Sequence, residues 1–381
     1  MALKKIKTAL LAGATVASLV AIGISASSVA AGGATSVNWA KVTHLTKSGP
    51  TSMAALVKAA KKGGKLNVVA LPANWANYGN IIKGFEKKYH IKINSENPEG
   101  SSAEEIQAIQ ADKGRSTDPD VIDVGTSYAV TAKASHLLTP YKVQTWSEIP
   151  AGLKQAAGYW YGDYGGYVAI GCDTKIVTTC PTSFKDLSNP IYKNEVAINN
   201  DPTSASAAFY AVWAASMANG GSFGNVQPGI DFFANLNKIG NFVPGGTAAS
   251  AAAGTTPILI WWDYLQNGVA TSVPGWKSVI PTDGTIAAYY TQAITKDAPD
   301  PAAARLWEEF LYSSLGQNLF LQGYARPIEL AAMTSNKSVN PNFLAKLPAA
   351  PKGALTLPTI AQVTTATSTV DANWAAAISG S

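Results

Sequence analysis

The stretch KLNVVALPANWANYGNIIKGFEKKYHIKINSE, residues 65–96, decides the fold class. Its opening residues, KLNVVAL, read as a buried strand and its closing IKINSE as a second. Between them Ile81, Ile82, Phe85 and Tyr89 recur three and four residues apart, which puts them on one face of a helix. Strand, helix and strand in succession predict an α/β layer with a mainly parallel sheet. The alternation continues outward. Ser102, followed three residues later by Glu105, forms a capping-box pattern that opens a helix carrying Ile106 and Ile109, and DVIDVG (120–125) reads as another buried strand. Ligands of such sheets sit beyond the carboxyl ends of the strands, so PANWANY (72–78), GSSAEE (100–105) and GTSYA (125–129) are expected at one rim.

A second unit follows GDYGGYVAIGCDT (162–174). PTSFKDL (181–187) reads as a capped short helix and EVAIN (195–199) as a strand. DPTSASAAFYAVWAASMANGG (201–221) reads as a loop feeding an apolar helix, QPGIDFFANLNKIG (227–240) as a helix, TPILIWW (256–262) as a buried strand and TIAAYYTQAI (285–294) as a further strand. In DPAAARLWEEFLYSS (300–314), Asp300 and Pro301 supply an N-cap and an N1 proline. No internal repeat is evident.

The 381 residues exceed one typical domain. With 47% hydrophobic and 14% charged residues, the chain is globular in composition. Residues 1–31 read as a secretory signal, with Lys4, Lys5 and Lys7 before an apolar run and small residues near Ala30 and Ala31, where cleavage is expected. An uncleaved membrane anchor is the competing reading, and no cysteine follows the run to suggest a lipoprotein. Without that segment 26 basic residues face 24 acidic ones, a balance that gives no nucleic-acid-binding pattern. Residues 32–64 read as a linker leading to a short helix. Cys172 and Cys180, the only cysteines, suggest a local disulfide in an exported protein, against two free buried thiols.

No motif carries catalysis. Gly220-Gly221-Ser222-Phe223-Gly224 satisfies the GxSxG string, but a nucleophile elbow needs a strand before the serine, and here a helix precedes it. P-loop, HExxH and dinucleotide signatures are lacking, and neither cofactor nor metal is expected. What stands out is aromatic and hydroxyl-bearing material at strand ends. Aromatic rings offer π-faces to cations, and the hydroxyls and N–H groups of helix starts offer donors to anions, with plain N-capping the alternative for each.

These pieces, in this order, resemble the solute-binding proteins of ABC importers, in the cluster serving ferric iron, polyamines, thiamine and phosphonates. The resemblance rests on the stretch from Trp75 to IKI, on SSAEEIQAI, DVIDVG and GGYVAIGCDT, on PTSFKDLSNPIYKNEVAINNDPTSA, and on TKDAPDPAAARLWEEFLYSSLGQ. It implies a two-lobed, type II periplasmic-binding-protein-like α/β fold with discontinuous lobes joined by hinge crossings, which trap a ligand by closure. Mapped here, lobe 1 would span 65–165 and return in 285–381, with lobe 2 at 166–284. The resemblance also implies a monomeric, non-enzymatic, exported protein that hands a solute to a membrane permease and ATPase.

Carried over by motif position, the cleft would draw on Trp75, Ser101, Ser102, Thr126, Ser127, Tyr164, Thr203, Ser204, Trp261, Trp262, Asp263, Tyr289 and Tyr290. Alternation along TPILIWW should turn only one of Trp261 and Trp262 to the cleft. Asp263 among tryptophans suggests a small amine-bearing or cationic solute, polyamine- or thiamine-like. The alternatives are ferric iron held by Tyr289 and Tyr290, a phosphonate or other oxyanion at the hydroxyl-rich helix starts, and, from another class, a secreted hydrolase.

Overall fold

The computed structural model describes residues 36–351 and 357–380, so the expected signal segment lies outside the described residues. Helix α1 (Met53–Gly63) is capped by the Ser52 hydroxyl and ends on Gly64, whose positive φ only glycine adopts without strain. It leads into β1 (Lys65–Val69), α2 (Tyr78–Tyr89), β2 (Lys92–Glu96), α3 (Ser102–Ala111), β3 (Val121–Gly125), α4 (Thr126–Ala134) and β4 (Leu138–Thr139). Helix α2 turns Ile81, Phe85 and Tyr89 inward, as their spacing requires, while Ile82 is half-buried.

The thirteen-residue β5 (Tyr161–Asp173) follows, buried along its whole length. After it come β6 (Val196–Asn199), α5 (Ser206–Ala218), α6 (Gln227–Lys238), β7 (Phe242–Gly246), α7 (Ala248–Ala252), β8 (Ile258–Trp262), α8 (Asp263–Ser272) and β9 (Trp276–Val279). The remaining elements are β10 (Ala287–Thr295), α9 (Pro301–Leu311), α10 (Ser314–Gln322), β11 (Arg326–Pro327), α11 (Leu330–Ser335), α12 (Pro341–Leu344) and α13 (Ile360–Ser379). No helix among the described residues is long and apolar enough to cross a membrane.

The main sheet runs β3-β10-β5-β8-β6-β7, and β1-β2 form a separate parallel pair. Strand β5 serves both halves of this sheet. Its first part, from Tyr161 to Tyr167, pairs with β10, and its second part, from Val168 onward, pairs with β8 and β9. The expectation of a mainly parallel sheet is corrected. Only β1-β2, β6-β7 and β6-β8 are parallel, whereas every ladder made by β5 and β10 is antiparallel. The reason is topological, because β5 runs from one half of the sheet into the other, β10 returns beside its first part, and each meets its neighbours in the opposite direction.

Two local expectations also change. The segment before α1 is packed from Val37 onward rather than a free linker: Trp39 and Val42 are buried, and the Arg305 guanidinium donates to the Ala40 and Val42 carbonyls at 3.0 and 2.7 Å. Asp300 precedes α9 without capping it through its side chain, and Pro301 takes N1. The Asp300 carboxylate lies 3.8 Å from Lys65 Nζ, while its N–H donates to Asp120 at 2.6 Å.

Cys172 and Cys180 are joined across eight residues, pinning the end of β5 to the following loop. The double substitution Cys172→Ala/Cys180→Ala should lower unfolding free energy by about 2–3 kcal/mol, the closure entropy of so short a loop. Denaturant melts with and without the substitutions measure this, and coincident midpoints would contradict it.

Candidate functional site

A cavity of about 730 Å³ opens at the carboxyl ends of the strands. One wall is built by the loop after β1, the start of α3 and the end of β3; the other by the starts of α5 and α7, the end of β8 and one side of α8. Of the sequence-predicted residues, Trp75, Ser101, Ser102, Trp261 and Tyr290 line it.

The aromatic part is a cluster of edge-to-face rings. Trp75 sits 5.6 Å from both Trp261 and Tyr290, centroid to centroid, at 68° and 79°. Such contacts fix ring orientation beyond simple burial. Strand alternation works as expected: Trp261 lines the cavity, while Trp262 packs inward against Tyr210 and Tyr264. The Trp261 Nε1–H is buried without an acceptor.

Two carboxylates that the sequence reading did not place in the cleft lie at the back of this cavity. Asp123, on β3, accepts a hydrogen bond from the Tyr164 hydroxyl at 2.9 Å through Oδ2, and its Oδ1 is buried without a partner. The Trp75 Nε1–H donates in turn to the Tyr164 oxygen at 2.8 Å, so one phenol holds both a wall ring and the acid. Glu105 accepts the Asp123 N–H at 3.0 Å. Burial pushes Asp123 up to about 7 and raises Glu105 well above the carboxylate range, the latter also through the nearby Asp123 charge.

Glu105 was missed because the α3 capping box lies one residue earlier than expected. Ser101 and Glu104 form it, with Glu104 accepting from the Ser101 N–H at 2.7 Å. Ser102 instead accepts from the Gly125 N–H at 3.2 Å, and Glu105 is freed to face inward. The repeated SS and EE of SSAEE satisfy the motif in either register.

The rest of the expected set lies outside the cavity lining. Tyr164 stands behind it, stacked on Tyr290 at 5.6 Å. Asp263, expected to seek a ligand cation, already has one: its Oδ2 lies 2.5 Å from Arg326 Nη1, and Oδ1 accepts the Tyr167 and Tyr264 N–H groups, each at 3.0 Å. Any side chain at Gly166 would collide with this carboxylate and the Tyr264 ring, which explains the glycine there. Thr126 and Tyr289 line a separate gap of about 20 Å³ on the other face of β10. The Thr203 and Ser204 hydroxyls turn back onto Asp201, and the Ser127 carbonyl, on α4, accepts from the Thr131 hydroxyl.

Adjacent strand positions send Tyr289 and Tyr290 to opposite faces, so one ferric ion cannot take both phenolates. Burial raises both phenols above their ordinary value. Among the described residues no group of three or more His, Cys, Asp and Glu side chains could hold a metal ion. Ser222 lies in a turn after α5, its hydroxyl accepting from Gly224 at 3.2 Å, so no elbow forms.

Burial raises further carboxyls: Asp120 and Glu309 to about 7, Glu329 to about 8. Such groups keep protons that an unfolded chain gives up near pH 4, so the stability they lend is present at acidic pH and lost as pH rises through 7 to 8. The melting temperature of the ligand-free protein should therefore fall between pH 5 and pH 8; a rise across that interval would contradict the assignment.

Residues 117–352 match the family described as bacterial extracellular solute-binding protein. The chain belongs to that family. This solute-binding protein is thus non-catalytic, the solute-binding component of an ABC import system. No curated protein sequence matches it. The structure is similar to the periplasmic binding protein AfuA from Actinobacillus pleuropneumoniae, solved with exogenous fructose-6-phosphate: TM-score 0.67 at 20% identity, over 83% of this chain and 99% of that one. It is similar also to a ferric binding protein from Campylobacter jejuni, with TM-score 0.62 at 19% identity over 82% and 99%. A putative spermidine/putrescine ABC transporter protein from Listeria monocytogenes gives 0.58 at 14% identity over 74% and 88%. At these identities the likeness carries the fold, the mixed α/β arrangement of type II periplasmic binding proteins.

Proposed function

We propose that this solute-binding protein captures a small organic cation, amine-bearing and polyamine- or thiamine-like, in the cavity between two lobes that close about β5 and the segment joining β9 to β10. The lobes are residues 65–165 with the return from 285, and residues 166–284. The chain would act outside the cytoplasm after removal of residues 1–31, delivering its solute to a membrane permease and ATPase.

One observation carries this reading: among the described residues, the cavity lining holds Glu99, Glu105 and Asp123 and no lysine, arginine or histidine. A cation entering it meets the Asp123 carboxylate and the rings of Trp75, Trp261 and Tyr290, a combination of charge and π-face that suits ammonium or an aromatic cation. A phosphonate would face the same carboxylates with no cationic side chain to neutralise it. The α5 start, where Ser206 and Ala207 reach the cavity and no side chain caps the helix, supports an acceptor elsewhere on the same solute.

Thermal-shift measurements with putrescine, spermidine, thiamine, methylphosphonate and ferric citrate test the proposal. A solute bound only by the folded chain stabilises it by about 2.7 kcal/mol at one hundred times its Kd. A cationic compound should raise the melting temperature, more at pH 8 than at pH 6 because Asp123 must lose its proton to receive it. A shift with methylphosphonate or ferric citrate alone would overturn it.

A further inference from the structure

The family match ends at residue 352, whereas the chain continues into the twenty-residue α13. Its Thr359 capping box gives α13 a firm start, and Val363, Ala366, Val370 and Trp374 form one buried stripe. The C-terminal end of that stripe is fixed to the side of the sheet that carries α6 and β7. Trp374 packs edge-on against Phe233 and Phe242, at 5.8 and 6.1 Å. Asn237 donates to the Ile378 carbonyl at 2.7 Å, and Asn373 donates to Gln227 at 3.0 Å.

The first turn of the helix belongs to the other side. Ile360 packs with a separate apolar cluster that includes Ala129 and Ala132 of α4, Val124 of β3 and Trp160. Ile360 and Val363 also border the small gap beneath Ala287, Tyr289 and Thr291. Those side chains occupy the face of β10 opposite Tyr290, which lines the solute cavity. One helix therefore touches both proposed lobes, behind the strands about which they would turn.

We infer that α13 is a strap across the back of the hinge, anchored by Trp374 and footed at Ile360, that opposes cleft closure and so lowers solute affinity. When a cleft closes about strands at its base, surfaces behind those strands move apart. Closure must then pull Ile360 from its cluster. Apparent affinity falls by the fraction of molecules in the binding-competent state, and releasing the foot raises that fraction.

The inference rests on the two-lobed reading but not on the identity of the solute, so two readouts are needed. Spin labels at the exposed positions 95 and 271, one on each proposed lobe, report lobe separation in ligand-free protein. Ile360→Ser should shift that distance distribution to shorter values and tighten binding of thiamine or putrescine, whichever the parent chain binds, about threefold to tenfold. Ile360→Leu, which retains an apolar foot, should behave as the parent. An unchanged or longer label distance in folded Ile360→Ser would overturn the strap. If neither solute bound the parent, the cation reading would fall while the label distances still decided the strap.

Discussion

Asp123→Asn should weaken binding of a cationic solute about 10- to 100-fold, the worth of a charge-assisted hydrogen bond in a desolvated site. The substitution is nearly isosteric, and its amide oxygen can still accept from the Tyr164 hydroxyl 2.9 Å away, so the fold should persist. The lost charge is that of a carboxylate lining the cavity. Calorimetric titration at pH 8 measures the loss. An affinity within twofold of the parent would remove Asp123 from the site.

The second large effect is on stability. Arg326→Met should lower unfolding free energy by about 3–5 kcal/mol, because it leaves the Asp263 carboxylate buried without its cation. Burial already holds the Asp263 carboxyl above its ordinary value despite Arg326, so part of that cost will appear as proton uptake. Asp263→Asn should cost less, since the amide oxygen can still accept the Tyr167 and Tyr264 N–H groups. Denaturant melts at pH 7 distinguish the two, and a stable Arg326→Met protein would show that the pair is dispensable. Solute affinity is expected to change far less at either position than at Asp123.

This exchange of roles shows where the sequence was legible. Elements governed by local periodicity and chain order were readable: α2 from its apolar face, β3 and β8 as short buried strands, and the alternation that separates Trp261 from Trp262, though not which of the two faces the cavity. Partners remote in sequence were not. Arg326 lies 63 residues from Asp263, so the aspartate appeared to lack a counter-charge that the chain itself supplies. Tyr164 and Asp123 are 41 residues apart, and nothing in DVIDVG distinguishes Asp123 from Asp120, which accepts the Asn67 and Asp300 N–H groups and holds loops together. Glu105 was hidden by a one-residue ambiguity in the capping pattern. The sheet direction was misread because strand polarity depends on how β5 and β10 return through the fold, which local patterns do not record.

Glu105 and Asp123 also explain why the cavity can be acidic yet folded. Close carboxyls deprived of water share fewer charges than two free acids would carry, and each holds its proton more tightly. An incoming cation reverses that balance, so near pH 7 its binding should release protons.

A crystal structure of this solute-binding protein with its tightest-binding solute would show whether the cavity holds a cation. A cationic nitrogen is expected within hydrogen-bond distance of the Asp123 carboxylate and against the Trp75 and Trp261 rings. An anionic group at that position, or a solute bound wholly outside the cavity, would contradict it.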